Sequence, residues 1–376
     1  MPNPIVSIEA DADIIASAAK ALSALVHMAS PELKLESYVT LRAKVSEGYS
    51  TLVAAVSCGV MSAEIEIGKC RAQSPVPYAE IIATSQFFAS LGSKEQVKFS
   101  QEQGTGVVQY RRGRMSGTVA AIDPSSLNRN PSVSKGQTNK LPTKIIREAL
   151  EATLFSSSDP NAAITGPIAR LYVNGSDLEV VTYDSLCGAI YSKTIDGLRN
   201  GLKIVLPNRL LWTLLSFVND DTFDLTYDPN VSLIFATKTC RIFVTLNEYP
   251  DIDVGTLIRN LLAGVTEGIR VNPNKVSHTV SSIIAVGAAD KEITNLIVDH
   301  RTNKVRFGIN SEAINCAEIV ECEPASTKTN MSIIVDSKRF LNFLKPCKSL
   351  ATVDILHGGG RVIVKAEHAT FAFSVV

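Results

Sequence analysis

Apolar positions along this chain switch repeatedly between two periods. Segments with apolar residues three and four apart, the spacing of one helix face, alternate with shorter runs in which every second residue is apolar, the spacing of a half-buried strand. The helix-like segments begin near Asp11, Tyr78, Pro142, Pro207, Lys275 and Asp336. The pattern therefore restarts at a period of roughly 65 residues, about half an ordinary domain. Each unit predicts one helix followed by about three strands, with Gly, Asn or Asp at the turns. An α+β fold follows, with antiparallel sheets and helices segregated to one face. A surface used six times over points to a wall or ring rather than to a single catalytic pocket.

The first unit reads DADIIASAAKALSALV, then YVTLRAKVSE, YSTLVAAVS and MSAEIEIGK; the second reads YAEIIATSQFFASLG, then QVKFSQE, GVVQYRR and MSGTVAAI. A Ser-, Asn- and Pro-rich stretch without apolar periodicity, PSSLNRNPSVSKGQTN, comes next and reads as a linker. PTKIIREALEATLF and LKIVLPNRLLWTLLSFV open the third and fourth units, and a fainter joint falls near Val254 to Thr256. The sixth unit is the most regular: MSIIVDSKRFLNFLKPCKS, ATVDILHG, GRVIVKAE and TFAFSVV. Paired units predict three similar domains, 1–124, 139–254 and 255–376, with 125–138 as the linker. In the third helix Ile145, Ile146, Ala149 and Leu150 oppose Lys144, Arg147 and Glu151; in the fourth, Leu210, Leu211, Leu214 and Leu215 oppose Arg209 and Thr213. In the sixth, Phe340, Leu341 and Leu344 are expected inward, with Lys338, Arg339, Asn342 and Lys345 outward.

Composition narrows the function. Lys plus Arg equals Asp plus Glu at 37 each, so net charge is zero and nonspecific coating of nucleic acid by overall charge is excluded. Any contact with nucleic acid must come from local placement. No apolar run approaches a membrane span, and the start MPNPIVSIEADAD lacks the basic-then-apolar pattern of a secretion signal, so a cytoplasmic protein is expected. The seven cysteines are scattered without a CxxC pair and read as buried free thiols. The five histidines show no metal-binding spacing, and no metal or other cofactor is expected.

Three stretches resemble the bacterial-type DNA polymerase sliding clamp: NKVRFGINSEAINCAEIVE continuing through MSIIVDSKRFLNFLKPCKSLATVDIL to ATFAFSVV, then GVVQYRRGRMSGTVAAIDP, and RIFVTLNEYPDI with its aromatic-Pro-Asp triplet. The resemblance covers essentially the whole chain, and its specificity lies in the order and spacing of the strings. It implies the DNA clamp fold and a non-enzymatic processivity factor. Two protomers would join head to tail in a ring around double-stranded DNA, with helices lining the hole. The implied partners are duplex DNA without sequence preference, a replicative DNA polymerase, a clamp-loader ATPase and a second copy of the chain.

On that reading the DNA-facing candidates are Lys20, Lys94, Arg112, Arg114, Lys140, Lys144, Arg147, Arg209, Lys275, Lys338, Arg339 and Lys345. Sparse cations suit a sliding protein, because tight or base-specific contacts would stall it. Arg111 to Arg114 straddles an expected hairpin turn. The same resemblance suggests Val107, Val108 and Tyr110 for the dimer junction.

The family binds partner peptides in an apolar groove. By position, this groove would draw on Tyr183, Ser185, Leu186 and Cys187; on Pro250, Ile252 and Val254; and on Phe373, Ser374, Val375 and Val376. This chain has Asp184-Ser185-Leu186-Cys187 where the family has a Gly-His-Arg-like run, and it lacks a Met-Pro-Met-Arg-like ending, so its partner peptides are expected to differ. Two rivals stand beside the clamp. One is a monomeric clamp-like scaffold for transcription or assembly. The other is a Ser hydrolase suggested by His357-Gly358-Gly359-Gly360, although no G-x-S-x-G is present and the glycines fit a hairpin turn.

Overall fold

The structure is a computed structural model that describes residues 5–29, 37–58, 61–102, 105–122, 136–153, 168–183, 187–228, 232–245, 253–265, 267–287, 295–301, 303–310, 314–326 and 331–374. The chain opens with β1 (Ile5–Asp11), α1 (Ala12–Ala29), β2 (Tyr38–Lys44), β3 (Ser50–Cys58), β4 (Met61–Gln73), β5 (Tyr78–Thr84) and α2 (Ser85–Ser90). The strands β6 (Gln96–Glu102), β7 (Val107–Arg112) and β8 (Met115–Ala120) follow. Next come β9 (Gln137–Pro142), α3 (Thr143–Thr153), β10 (Ile168–Asn174), β11 (Asp177–Tyr183), β12 (Cys187–Thr194), β13 (Lys203–Pro207) and α4 (Asn208–Ser216). Three strands then run in succession, β14 (Thr222–Asp228), β15 (Ser232–Ala236) and β16 (Cys240–Thr245), before α5 (Val254–Ala263), β17 (Glu267–Val271) and α6 (Pro273–Gly287). The remainder is β18 (Asn295–Arg301), β19 (Lys304–Asn310), β20 (Asn315–Glu321), β21 (Glu323–Pro324), β22 (Met331–Asp336), α7 (Ser337–Leu344), β23 (Val353–Gly358), β24 (Arg361–Lys365) and β25 (Ala369–Ser374). The α+β expectation holds.

The chain divides into two compact units, one of residues 1–143 and 213–248, the other of 144–212 and 249–376. The stretch 139–254 thus contributes to both. The first unit is built on a 12-stranded sheet whose main path runs β8-β7-β6-β1-β4-β16-β15-β14-β9, with β2, β3 and β5 branching from it. The long β4 makes the branch possible. It pairs with β3 through Cys58↔Met61 to Ser50↔Cys70, with β16 through Met61 to Ile65, and with β1 from Cys70 to Gln73. The register against β3 shifts between Leu52 and Val53, leaving Ile67 of β4 as an extra residue that bends the strand. Helix α1 packs on β3 and β4 through Ile15, Ala19, Leu22 and Leu25, all buried at helical spacing. Phe88 and Phe99 pack edge to face with centroids 5.5 Å apart beneath α2.

The second unit has a nine-stranded sheet, β13-β10-β11-β12-β25-β24-β23-β17-β21, and a four-stranded sheet, β20-β19-β18-β22. Phe340 of α7 packs against Phe307 of β19 at 6.0 Å, while Phe343 packs against Phe371 and Phe373 of β25 at 5.5 and 4.6 Å. One short helix therefore joins both sheets through its buried rings. Asp336 caps it, accepting from Arg339 N at 2.7 Å.

Three sequence expectations change. Near Tyr78 the chain forms strand β5 rather than a helix, because Ala79, Ile81 and Ala83 alternate inward against β2, and only the six residues of α2 are helical. In α7 the third inward residue is Phe343, while Leu341 is half-buried. A helix expected nowhere, α5, occupies the faint joint near residue 254. The linker lies outside the described residues up to position 135. The cysteines are free, with Cys70, Cys187, Cys240, Cys322 and Cys347 buried. Burial pushes the thiols of Cys70, Cys322 and Cys347 up to about 11 and that of Cys240 up to about 12.

Candidate functional site

Pairing of β12 with β25 sets Cys187 opposite Phe373, so two of the three expected groove segments are sheet neighbours. Side chains alternate across this sheet. Phe371 and Phe373 face α7, and Thr182 turns the same way to donate to Thr153 O at the end of α3. The opposite face presents Val181, Ile190, Leu356, Ile363 and Ala372, which form one apolar cluster with Ile258 of α5; Tyr172, Tyr183 and Leu262 pack at its margin. Phe373 is consequently a core residue, 2% exposed, and its side chain is not available to a groove. Cys187 is also buried, and Tyr183 is half-buried. Val254 begins α5, and Ser374 ends β25. Ser185, Leu186, Pro250, Ile252, Val375 and Val376 lie outside the described residues.

Sequence reasoning missed a polar cluster beside this apolar face. Arg170 is fully buried and donates from Nη1 to the Tyr172 hydroxyl at 3.3 Å and from Nη2 to the Tyr183 hydroxyl at 3.2 Å. Its guanidinium carbon stands 5.2 Å from the Tyr183 ring centroid. Asp253 precedes α5 and accepts from Thr256 N at 2.9 Å and from the Thr256 hydroxyl at 2.7 Å. Those hydrogen bonds hold its carboxyl below the usual range against the opposing effect of burial, and the charges of Arg259 and Arg170 add to the lowering. The legible signal was an arginine and a tyrosine two apart in the otherwise apolar strand IARLYV, hence on one face.

Along their whole length, the described elements match solved clamps. The Streptococcus pyogenes DNA polymerase beta subunit is 18% identical, with a TM-score of 0.77 over 98% of this chain and 99% of that one. The C. crescentus beta sliding clamp gives 0.78 at 12% identity over 99% of each chain. The Helicobacter pylori beta clamp bound to a DNA ligase peptide gives 0.76 at 12% identity over 98% and 99%. The chain has the sliding-clamp fold. No protein-family model matches it, and no curated protein matches its sequence.

The basic candidates take varied positions in this clamp fold. Lys20 on α1, Lys94 after α2, Arg114 in the β7–β8 turn, Lys140 on β9, Lys144 and Arg147 on α3, Lys275 on α6, and Lys338 and Lys345 at the two ends of α7 are exposed. Arg339 is half-buried, and nothing is described of the Arg209 side chain. Lys345 donates to Asn342 Oδ1 at 2.9 Å. Arg112 is engaged within its own unit, donating to Leu91 O and standing 3.7 Å from Glu95. Its neighbour Gly113 turns the hairpin at φ +54°.

At the expected junction, Val107 is exposed and Tyr110 half-buried, whereas Val108 is a fully buried core residue. Strand β7 is hydrogen-bonded on both sides, to β6 and β8, so among the described residues the edge strand is β8. In the other unit β20 is likewise an edge strand, with Ile319 61% exposed. The hydrolase rival finds a two-residue hairpin at Gly359 and Gly360, with φ of +58° and +71°, and His357 Nδ1 is 3.1 Å from Glu267 Oε2. Among the described residues no group of three His, Cys, Asp or Glu could hold a metal ion, and no helix is long and apolar enough to cross a membrane.

Proposed function

We propose that this chain is a DNA sliding clamp, two copies of which join head to tail around duplex DNA and tether a replicative polymerase for processive synthesis. The observation that carries this reading is the near-complete, end-to-end correspondence with clamp structures. The three domains of the ring are 1–124, 139–254 and 255–376, and a clamp-loader ATPase opens it. The chain itself performs no catalysis and needs no cofactor, and it works in the cytoplasm. Lys20, Lys94, Arg114, Lys140, Lys144, Arg147, Arg209, Lys275, Lys338, Arg339 and Lys345 supply loose phosphate contacts, while Arg112 steadies its own hairpin. Weak, sequence-independent contacts let the ring slide.

The junction is formed by edge strands. Among the described residues β8 is an edge strand with Met115 48% exposed, and β20 is another with Ile319. Pairing them across protomers would cover two edges that otherwise invite aggregation, with Val107 and Tyr110 contributing side chains nearby. Partner peptides dock beside the Arg170, Tyr172 and Tyr183 cluster, whose two tyrosines border the apolar face of β11, β12 and β25; that a protein of this fold takes a peptide is supported by the Helicobacter pylori clamp, solved with a DNA ligase peptide bound.

Light scattering of the intact chain, paired with retention on nicked circular and linear DNA, tests the reading. A dimer retained on circles and lost from linear ends is expected, and Ile319→Lys should give monomers that are no longer retained. A wild-type monomer indifferent to DNA topology would instead favour the monomeric scaffold.

A further inference from the structure

We infer that the first unit contains a binding pocket for a tetrahedral oxyanion, a phosphate group, walled by three serine hydroxyls and completed by Lys20 and His27. The pocket is a cavity of about 470 Å3 lined by Lys20, Ser23, His27, Ser37, Thr84, Ser85, Gln86 and Ala89. Its floor is a triangle of hydroxyls. Ser37 Oγ lies 2.5 Å from Ser85 Oγ and 3.1 Å from Ser23 Oγ, and Ser85 Oγ lies 3.4 Å from Ser23 Oγ. Ser37 and Ser85 are each 7% exposed. They come from separate places in the chain, Ser23 from α1, Ser37 from the approach to β2 and Ser85 from the start of α2. The fold therefore brings them together where sequence gives no hint.

Proton arithmetic favours an anion. Each hydroxyl carries one proton and two lone pairs, so with one proton held in the short Ser37–Ser85 hydrogen bond the other two can close the triangle or turn outward toward one external acceptor. Hydrogen bonds to a charged oxygen are stronger than those between hydroxyls, which makes the outward arrangement the better one when an oxyanion is present. Lys20 supplies the positive charge and shares one helix face with Ser23 and His27, the three being spaced by three and four residues. Thr84 is already committed, capping Phe87 N at 3.2 Å, and Gln86 also lines the pocket. Among the described residues none that lines the pocket is acidic, in a chain whose overall charge is zero. The negative end of the α1 dipole opposes it from the last turn, and the Lys20 ammonium offsets that end.

The same chemistry serves two sources, free phosphate or the phosphodiester backbone of DNA. Only the second rests on the clamp reading. Inorganic phosphate is titrated calorimetrically into the full-length chain at constant ionic strength, with chloride as the control anion. One saturable site per chain is expected, weakened at least tenfold by Lys20→Met and by the double substitution Ser37→Ala with Ser85→Ala. Lys20 is exposed, so its variant keeps the fold even if the serine pair proves structural. Absence of saturable binding above chloride, or an unchanged affinity in folded Lys20→Met, overturns the site. Residence on nicked circular duplex separates the sources: a loss of threefold or more in both variants assigns the backbone phosphate, and unchanged residence with weakened phosphate binding assigns the free ion. Should the wild-type chain not be retained on circles at all, the clamp reading fails while the phosphate titration still reports on the pocket.

Discussion

His300 lies on β18 with its ring 1% exposed, between Val305 of β19 and Met331 of β22, and neither ring nitrogen has a hydrogen-bond partner among the described residues. Burial holds its pKa below the usual imidazole range, with Asp299 pulling weakly the other way. Replacing it with leucine removes two unpaired polar atoms, each costing about 1–3 kcal/mol, against up to ~1.5 kcal/mol for the change of shape. The His300→Leu variant should therefore be more stable at pH 7.5, by at least ~0.5 kcal/mol and at most about 6 kcal/mol. Acid adds a second effect of known sign. A depressed folded pKa means the unfolded chain takes up the proton first, so wild-type stability falls as pH drops below the unfolded value of about 6.5. At ~1.4 kcal/mol per pH unit the ceiling at pH 5 is about 2 kcal/mol, and the leucine variant lacks this loss. With two compact units, whole-chain unfolding is not expected to be two-state. Amide exchange of peptides from β18, β19 and β22 at pH 5 and 7.5 isolates this sheet instead. A variant less protected than wild type at both pH values, with a difference that does not grow toward acid, would refute the reasoning.

Other substitutions probe single contacts. Phe343→Ala should cost about 3–5 kcal/mol, because it empties the ring cluster that joins α7 to β25, and a fall in the thermal midpoint would record it. Removing the α7 cap with Asp336→Ala should cost about 1 kcal/mol, seen as faster exchange in the first turn of the helix. Gly360→Ala places a Cβ at φ +71° in the β23–β24 turn and should cost ~1–2 kcal/mol in urea titration, with no effect if the turn can rearrange freely. At pH 8 a thiol reagent should label Cys58 and Cys316 quickly, while the five buried cysteines react only under denaturant; rapid labelling of Cys240 would contradict its raised pKa.

Much of the architecture was legible because helix and strand leave different periods in the sequence. α1, α3, α4, α6 and α7 begin within two residues of the expected starts, and the β7–β8 hairpin turns where Arg111 to Arg114 suggested. The failures have local causes. YAEIIAT offers buried residues at both periods, and a tertiary neighbour, β2, decides the matter. α5 is short and begins with Val-Gly, so it read as a joint, although Asp253 as a cap and Ile258 with Leu262 four apart were visible cues. The choice of Phe343 over Leu341 depends on which way α7 is turned against two sheets, which its own sequence does not fix. Site residues were harder still. Phe373 matched the groove by position in the chain, but strand alternation points it at α7; Arg170 and the serine triangle are assembled from segments distant in sequence.

The shared strand β4 has a consequence for biosynthesis. Its residues Met61 to Ile65 are closed on one side by β3 and on the other by β16. A ribosome must add roughly 175 more residues after Ile65 before Cys240 exists, which at 5–20 residues per second is about 10–35 s. For that interval the nascent first unit carries an open strand edge in the middle of what will become its sheet. A chain released early at the Ser- and Asn-rich stretch would keep that edge permanently, so residues 1–124 expressed alone should self-associate, and adding β14 to β16 back on a tether should suppress it.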